Sequence, residues 1–235
     1  MTKRTGADEA DRGPNVGERA GFEVHKLNGL GMESNAYLVV CETPTLIDVG
    51  TGARLRETFA QMNELLGKRK LARLVLTHMH FDHTGGAAAL QEATGAEAFA
   101  FPPDAKALAD GNGKMTCSGW LGEDQRPVKL RELEEGEHLD CGPLKLEVLH
   151  TPGHTEGSMC LFDSAGGILF SGDTVFGDGG VGRWDLPTGN HSRLLGSLKM
   201  LSKLKVIALY PGHGPFYERG GSAHVSMGLE MASGL

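Results

Sequence analysis

The sequence predicts a mixed α/β fold, and two observations support this prediction. Short apolar segments end at glycine, aspartate or histidine, which is typical of buried strands that give way to loops. Two such segments flank an amphipathic stretch between residues 45 and 76, and two more flank another between residues 168 and 210. The order strand, helix, strand therefore occurs twice, which indicates two similar halves, each a sheet with helices on one face.

The first half contains two predicted strands and two predicted helices. Residues 45–50 combine β-branched and aliphatic side chains before a glycine, and residues 71–76 form a second apolar run. Both patterns are typical of strands. Residues 54–66 have apolar side chains at helical spacing and predict an amphipathic helix, and the alanine-rich residues 87–90 predict another.

The second half follows the same order. Residues 144–150 begin with alternating apolar and polar side chains, and residues 168–172 and 206–210 are short apolar runs, so all three are predicted strands. Residues 193–201 are predicted to form the helix between the last two strands. The tail at residues 214–235 is long enough for one more helix.

Length and composition place these elements in one domain. The chain has 235 residues, of which 40% are hydrophobic and 23% charged, as in a globular protein with an ample core. Residues 1–20 mix charges, glycine and proline without periodicity, so we expect a flexible N-terminal segment before a single domain at residues 21–235. We find no signal-peptide-like or membrane-spanning segment and expect a cytoplasmic location.

The charge balance bears on possible partners. The formal net charge of -7 disfavours a nucleic-acid-binding face. The basic cluster at residues 68–70 follows a predicted helix, where it complements the helix dipole. We therefore expect neither nucleic acid nor a membrane as a partner, and the sequence makes no prediction of the oligomeric state.

The most informative segment is THMHFDHTGG at residues 77–86, which lies between a predicted strand and a predicted helix. In extended backbone, residues two apart point to the same side, so His78 and His80 can offer two imidazoles to one cation. Asp82 and His83, beyond the bend, can face a second cation. Imidazole and carboxylate donors suit zinc, iron or manganese, so this density of donors favours a metal site over surface histidines in a loop.

Three further candidate ligands also follow predicted strands. His154 lies on a Pro-Gly turn, Asp173 follows a buried strand, and His213 follows the last strand. Because strand ends along one edge of a sheet converge in space, we expect these side chains to meet the first run. A turn-forming role for Asp173 or a capping role for His213 would explain each residue alone, but not their common placement.

The order HxHxDH, His, Asp, His resembles that of the metallo-β-lactamase superfamily and extends from about residue 35 to residue 213. The resemblance implies a four-layer αββα sandwich with its metals in a cleft at one edge of the stacked sheets. It also implies two divalent metal ions, most often zinc, with iron or manganese as alternatives. The implied ligands are His78, His80 and His154 for one ion, Asp82, His83 and His213 for the other, and Asp173 as a bridge.

The activity that the resemblance implies is metal-dependent hydrolysis. A bound metal ion lowers the pKa of water from about 15.7 towards about 7, so that a metal-bound hydroxide can attack a carbonyl near neutral pH. Asp82 and Asp173 are the implied catalytic residues. Asp173 would help to fix the nucleophile, and Asp82 would be a ligand with two metals or a base with one.

Two segments, at residues 171–176 and 182–189, are similar to the glyoxalase II-like branch, whose members cleave thioesters of the hydroxyacylglutathione type. The expected partner is therefore a small-molecule thioester or ester. Two departures concern the thiol carrier: Glu156 stands where the branch frequently has proline, and residues 214–235 replace a basic helical region that grips glutathione. A different thiol carrier or a smaller ester is therefore an open alternative.

Other activities remain open at this point. A persulfide dioxygenase of the same branch would bind a single iron through the equivalents of His78, His154 and Asp173. A lactone presents the same carbonyl chemistry as a thioester, so a lactonase is a further alternative, and a non-catalytic role is the last. The run ends in His83, where the true β-lactamase subclasses have arginine, cysteine or serine, so a β-lactam substrate is not expected.

Two residues outside the ligand set are predicted to contact substrate. Arg183 can pair with a substrate carboxylate, or it can form an ion pair with Asp178 or Asp185. Trp120 lies in the irregular region 111–127, which is typical of a loop covering a site. Its side chain either lines the substrate pocket or anchors the loop on the core.

The other histidines lack the context of metal ligands, and they are His25, His138, His150, His191 and His224. Among these, His150 is predicted to pack near His154. Asp48, at the end of its predicted strand, is expected to orient the ligands without binding metal.

Overall fold

The computed structural model of this chain describes residues 21–27 and 33–234. The flexible segment predicted at residues 1–20 lies outside these ranges. In the described residues, two sheets of six and five strands account for the β structure. The prediction of a mixed α/β fold is confirmed.

The first sheet has the order β1-β2-β3-β4-β5-β6. Its strands are β1 (Glu23–Lys26), β2 (Tyr37–Val40), β3 (Thr45–Ile47), β4 (Arg73–Val75), β5 (Glu97–Ala100) and β6 (Leu130–Glu132). The first three strands pair in antiparallel fashion, whereas β3 to β6 are parallel. Parallel neighbours need crossover connections. The helices in these crossovers are α1 (Leu55–Leu66), α2 (Phe81–Thr84), α3 (Ala87–Thr94) and α4 (Asp104–Ala109).

The second sheet has the order β11-β10-β9-β8-β7. Its strands are β7 (His138–Asp140), β8 (Lys145–His150), β9 (Met159–Asp163), β10 (Ile168–Gly172) and β11 (Ala208–Pro211). All neighbours are antiparallel except β10 and β11, which are parallel. Helix α5 (His191–Leu201) connects these two strands, and α6 (Gly221–Ser233) follows the sheet. The predicted C-terminal helix is therefore confirmed.

The predicted internal repeat is also present. In the first half, α1 connects the parallel pair β3 and β4, and in the second half α5 connects the parallel pair β10 and β11. Helix α5 begins with a side-chain cap, because Oδ1 of Asn190 accepts a hydrogen bond from the backbone N–H of Arg193 at 3.0 Å.

Three apolar layers separate the sheets and helices. In β2, Leu38 and Val40 pack in the layer with α1 and α3, whereas Tyr37 and Val39 pack in the layer that also contains strands of the second sheet. In β10, Leu169 packs in a third layer with α5 and α6. Because strand side chains alternate between faces, each sheet contacts helices on one side and the other sheet on the opposite side. This is the four-layer αββα arrangement that the resemblance implies.

Strand and helix ends differ from the predictions for local reasons. The strand predicted at 45–50 ends at Ile47 because Asp48 has a positive φ of 57°, which extended strands do not tolerate. The short helix α2 at Phe81–Thr84 was not predicted, because the histidine-rich sequence carries no apolar period.

Within the described residues, no helix combines the length and the apolar character needed to cross a membrane.

Candidate metal centre

All seven predicted ligands follow strands that end at the same region of the molecule. The run containing His78 follows β4, His154 follows β8, Asp173 follows β10, and His213 follows β11. Potential ligand atoms form three groups, and within each group they lie within 4.8 Å of one another. The first group is His78, His80 and His154, the second group is Asp82, His83 and His213, and a third set, His78, His83 and Asp173, lies between them.

The first group consists of three buried imidazoles. Nδ1 of His80 lies 2.8 Å from Nε2 of His154. The ring of His78 has its centre 4.9 Å from that of His80 and 4.7 Å from that of His154. Three nitrogens that converge in this way form the three-histidine donor set typical of a zinc site with an open position.

The second group combines two imidazoles with a carboxylate. Nε2 of His213 lies 3.0 Å from Oδ2 of Asp82 and 3.3 Å from Nε2 of His83. Oδ2 of Asp82 lies 3.8 Å from Nε2 of His83. This group is more open than the first, because the side chains of His213 and Asp82 are 30% and 26% exposed.

Asp173 lies between the first group and the second group. Its Oδ1 is 3.1 Å from Nε2 of His83, and its Oδ2 is 3.6 Å from Nε2 of both His154 and His213. One carboxylate therefore faces donors from each group, which is the position expected of a bridging ligand.

The hydrogen-bonding state of the donor atoms shows whether the residues fit a metal ion. Nε2 of His78 and Nε2 of His80 are buried in the described structure and have no hydrogen-bond partner. A buried polar atom without a partner costs free energy, which a coordinated cation would offset at a nitrogen that it binds. The residues present thus fit a metal centre.

The charges of the cluster also suit a cation. Burial lowers the pKa of His80 to about 3, and burial together with the neighbouring imidazoles lowers that of His78, so both rings are neutral. Burial raises the pKa of Asp173, but His83 and the other imidazoles outweigh this effect and lower it overall. For His83, burial lowers the pKa, whereas Asp173, Asp48 and Asp82 raise it further than burial lowers it, so a metal ion that binds this ring would displace a proton. Neutral imidazoles and ionised carboxylates are the forms that bind metal.

Asp48 supports the ligand run from the end of β3. Its Oδ2 lies 2.8 Å from Nδ1 of His83 and accepts a hydrogen bond from the hydroxyl of Thr77 at 2.8 Å. Its Oδ1 accepts from the backbone N–H of Thr77, also at 2.8 Å. A carboxylate that contacts a histidine in this way fixes the orientation of the ring, so these contacts are the ones expected for the predicted supporting role of Asp48.

Two supporting contacts were not found from the sequence. The carbonyl of Arg183 accepts a hydrogen bond from Nδ1 of His154 at 2.6 Å, which directs Nε2 towards Asp173. The buried carboxylate of Asp104 accepts hydrogen bonds from Thr155 and from the backbone of Met79. Asp104 stands at the first position of a helix, where an acid is commonplace, so no sequence signal distinguishes it.

A cavity of about 420 Å³ is lined by the predicted ligands His80, Asp82, His154, Asp173 and His213. Its apolar wall is formed by Phe81, Trp120, Leu121, Phe176, Val181 and Leu186. The cavity is thus an apolar pocket with a polar, ligand-bearing floor, as in most small-molecule sites.

The structure shows the surroundings of Trp120 and Arg183, the two residues predicted to contact substrate. Trp120 is 67% exposed and lines the cavity, so it does not anchor its loop in the core. The guanidinium of Arg183 forms two hydrogen bonds with the carboxylate of Asp185, at 2.9 and 2.8 Å, which is the alternative ion pair. Arg183 nevertheless lines the same cavity.

The other histidines lie outside the three ligand groups. His150 stacks on Phe101, with ring centres 4.3 Å apart, and its Nε2 lies 2.9 Å from the carbonyl oxygen of Glu156. This packing role agrees with the prediction for His150.

Comparisons with known proteins agree with the site. A family model described as the metallo-beta-lactamase superfamily matches residues 30–213. A probable metallo-hydrolase of Methanocaldococcus jannaschii is 35% identical over 202 residues, which cover 83% of this chain and 94% of that protein. The human acyl-coenzyme A thioesterase MBLAC2 is 32% identical over 212 residues, which cover 78% of this chain and 74% of that protein.

A solved structure gives the same result at the level of the fold. The crystal structure of TTHA1623 in a di-iron-bound form is 34% identical and superposes with a TM-score of 0.67, covering 87% of this chain and 96% of that chain. The matching family model, the similarity to metallo-hydrolases and the clustered histidine and aspartate donors lead to one conclusion. This chain belongs to the metallo-β-lactamase superfamily and is similar to metallo-hydrolases of that superfamily.

Proposed function

We propose that this chain is a binuclear metal-dependent hydrolase that cleaves the thioester bond between an acyl group and a thiol carrier. The observation that carries this proposal is the position of Asp173 between two donor groups at the floor of an apolar cavity. The similarity to an acyl-coenzyme A thioesterase supports a thioester as the substrate class.

The proposed ligands are those brought together by the fold. His78, His80 and His154 would hold one ion, Asp82, His83 and His213 the other, and Asp173 would bridge them. When bound, zinc ions would supply a water of lowered pKa and polarise the carbonyl oxygen of the substrate. Iron is the alternative, because a similar protein binds two iron ions.

The side chains of the chain itself bind and orient the substrate. The wall that contains Phe81, Leu121 and Phe176 offers an apolar surface to the acyl chain and excludes water from the carbonyl group above the ligands. Asp82 is partly exposed at the floor, and its Oδ2 pairs with Nε2 of His213. This contact turns the carboxylate of Asp82 towards the other members of the second donor group rather than towards solvent.

The thiol carrier of the bound substrate would extend out of the cavity past the exposed pair of Arg183 and Asp185. A hydroxyacylglutathione-type substrate and an acyl-coenzyme A share the thioester and differ in the carrier, so both are compared directly. Hydrolysis consumes one water and yields a carboxylate and a free thiol, so both reactions are followed through the released thiol.

The test uses full-length protein loaded with zinc, and the same protein after chelation. Lactoylglutathione, short-chain and long-chain acyl-coenzyme A and a simple lactone are offered in turn, and thiol or acid release is measured. We expect metal-dependent thioester cleavage, with loss of at least about 100-fold in kcat/KM for Asp173→Asn. Asp163→Asn is the control, because Asp163 is also a buried carboxylate, but it lies at the end of β9, where it accepts hydrogen bonds from the backbone N–H groups of Lys145 and Gly166.

Two results would contradict the proposal. Iron at one ion per chain, together with oxygen uptake on a persulfide substrate, would assign the chain to the dioxygenase alternative. Cleavage of the lactone without cleavage of any thioester would assign it to the lactonases.

A further inference from the structure

Asp104 is a buried carboxylate that connects two loops carrying metal ligands, and it is only 1% exposed. Its Oδ2 accepts hydrogen bonds from the backbone N–H of Met79 at 2.8 Å and from the hydroxyl of Thr155 at 2.6 Å. Its Oδ1 accepts one from the backbone N–H of Gly157 at 2.8 Å. Within the described ranges no salt bridge is found for Asp104, so these three donors stabilise its charge.

The three donors belong to the loops that hold the first donor group. Met79 lies between His78 and His80, and Thr155 directly follows His154. The carboxylate therefore fixes the separation between the pair of histidines in one half of the fold and the single histidine in the other half.

We propose that Asp104 is the positioning residue of the first metal site and sets its affinity for the ion. The inference rests on the proposed function in one respect, namely that His78, His80 and His154 hold a metal ion. The second donor group has a support of its own, because Asp48 contacts His83. Loss of Asp104 is therefore expected to weaken one site and to spare the other.

The chemistry of the three contacts requires a carboxylate. Two of the donors are backbone N–H groups that meet different oxygens, so an amide at this position would direct its NH₂ group at one of them. The approach is also close, since a Cβ at Gly157 would lie only 2.5 Å from Oδ1 of Asp104. A side chain at Gly157 would therefore require Asp104 or a ligand loop to move.

The experiment is a zinc titration of the metal-free protein. The affinity of each site is measured by calorimetry and by competition with a chromogenic chelator. Asp104→Asn is compared with the wild type and with the matched variant Asp163→Asn, in which an equally buried carboxylate accepts two backbone hydrogen bonds away from the ligand loops. We expect Asp104→Asn to lower the zinc affinity of one site by about 10- to 100-fold, as is usual for residues that orient ligands. Asp163→Asn should leave both affinities unchanged.

A second variant keeps the test informative if Asp104→Asn does not fold. Thr155→Val removes one donor to Asp104 and retains the shape of the side chain. Ser158→Ala removes a hydroxyl that contacts the hydroxyl and the backbone N–H of Thr155 and leaves the donor to Asp104 in place. Thr155→Val should lower the affinity of the same site by a smaller factor than Asp104→Asn, and by a larger factor than Ser158→Ala.

The outcomes separate this inference from the proposed function. A wild-type protein that binds two zinc ions, with unchanged affinities in both Asp104→Asn and Thr155→Val, would overturn the inference and leave the binuclear hydrolase intact. A wild type that binds a single ion would overturn the binuclear proposal. In that case, a lower affinity for the ion in Asp104→Asn would support the inference, and an unchanged affinity would overturn it. A wild type that binds no zinc would overturn both.

Discussion

Oδ2 of Asp48 lies 2.8 Å from Nδ1 of His83, and this contact leaves Nε2 of His83 facing Oδ1 of Asp173 at 3.1 Å. Asp48 is not itself a member of any ligand group; it directly follows β3, whereas His83 lies in α2. The contact therefore fixes the ring of His83 relative to the end of β3. Orientation of His83 depends on a residue that the metal would never touch.

We expect Asp48→Asn to weaken zinc binding by about 10- to 100-fold, because the amide cannot reproduce both the contact with His83 and the two bonds from Thr77. Asp178→Asn is the control for the backbone, since Asp178 has a φ of 55° and Asp48 one of 57°. Asparagine tolerates this region, so neither change strains the chain. Zinc titration of both variants measures the difference. Equal affinities in the two variants would show that the orientation of His83 does not depend on Asp48.

We expect Trp120→Ala to raise KM for acyl thioesters while changing the free energy of unfolding by no more than about 0.5 kcal/mol. The reason is that Trp120 is 67% exposed and contributes to the cavity rather than to the core. Trp184→Ala is the matched control, because Trp184 packs against the core layer beside α5. It should lower the free energy of unfolding by more than about 1 kcal/mol. Steady-state kinetics and urea unfolding test both, and an unchanged KM for Trp120→Ala would remove this residue from the substrate site.

The clustering of the candidate ligands was predictable because each lies just after a strand, and strand ends at one edge of a sheet meet. This holds for His154 after β8 and for His213 after β11. The local sequence identifies both the strand and the donor, so no knowledge of distant contacts is needed.

Asp104 and the edges of the sheets were not predictable for the opposite reason. Asp104 acts through Met79 and Thr155, which lie 25 and 51 residues away in the chain. The strands β6 and β7 have only three residues each, too few to show a period of two, and neighbouring strands stabilise them rather than their own composition.

We expect Gly212→Ala to disrupt the centre, because a Cβ at this position would overlap Oδ1 of Asp173 and lie 2.7 Å from Cε1 of His83. Displacement of either side chain separates donors that now lie about 3 Å apart. Gly196→Ala is the matched control, since a Cβ there meets nothing within 4 Å and the site lies within α5. This change should stabilise the protein by about 0.5–1 kcal/mol through helix propensity. Zinc content after purification and thermal unfolding compare the two, and normal zinc content in Gly212→Ala would contradict the predicted overlap.

Removal of metal should lower the stability of the folded protein, because an ion that binds only the folded state stabilises it by mass action. At a free zinc concentration of about 1,000 times Kd, this contribution is about 4 kcal/mol. We expect chelation to lower the Tm of the wild type and added zinc to restore it. His154→Ala should lose most of this zinc-dependent shift, since it removes one of the three imidazoles of the first group.

His150→Ala provides the comparison on the same strand and loop. His150 stacks on Phe101 and belongs to none of the ligand groups, so its removal lowers the Tm with and without zinc by the same amount. The zinc-dependent shift should therefore remain in His150→Ala and nearly disappear in His154→Ala. If the two variants lost the same shift, stabilisation by zinc would come from general packing of this loop, and the assignment of His154 as a ligand would be wrong.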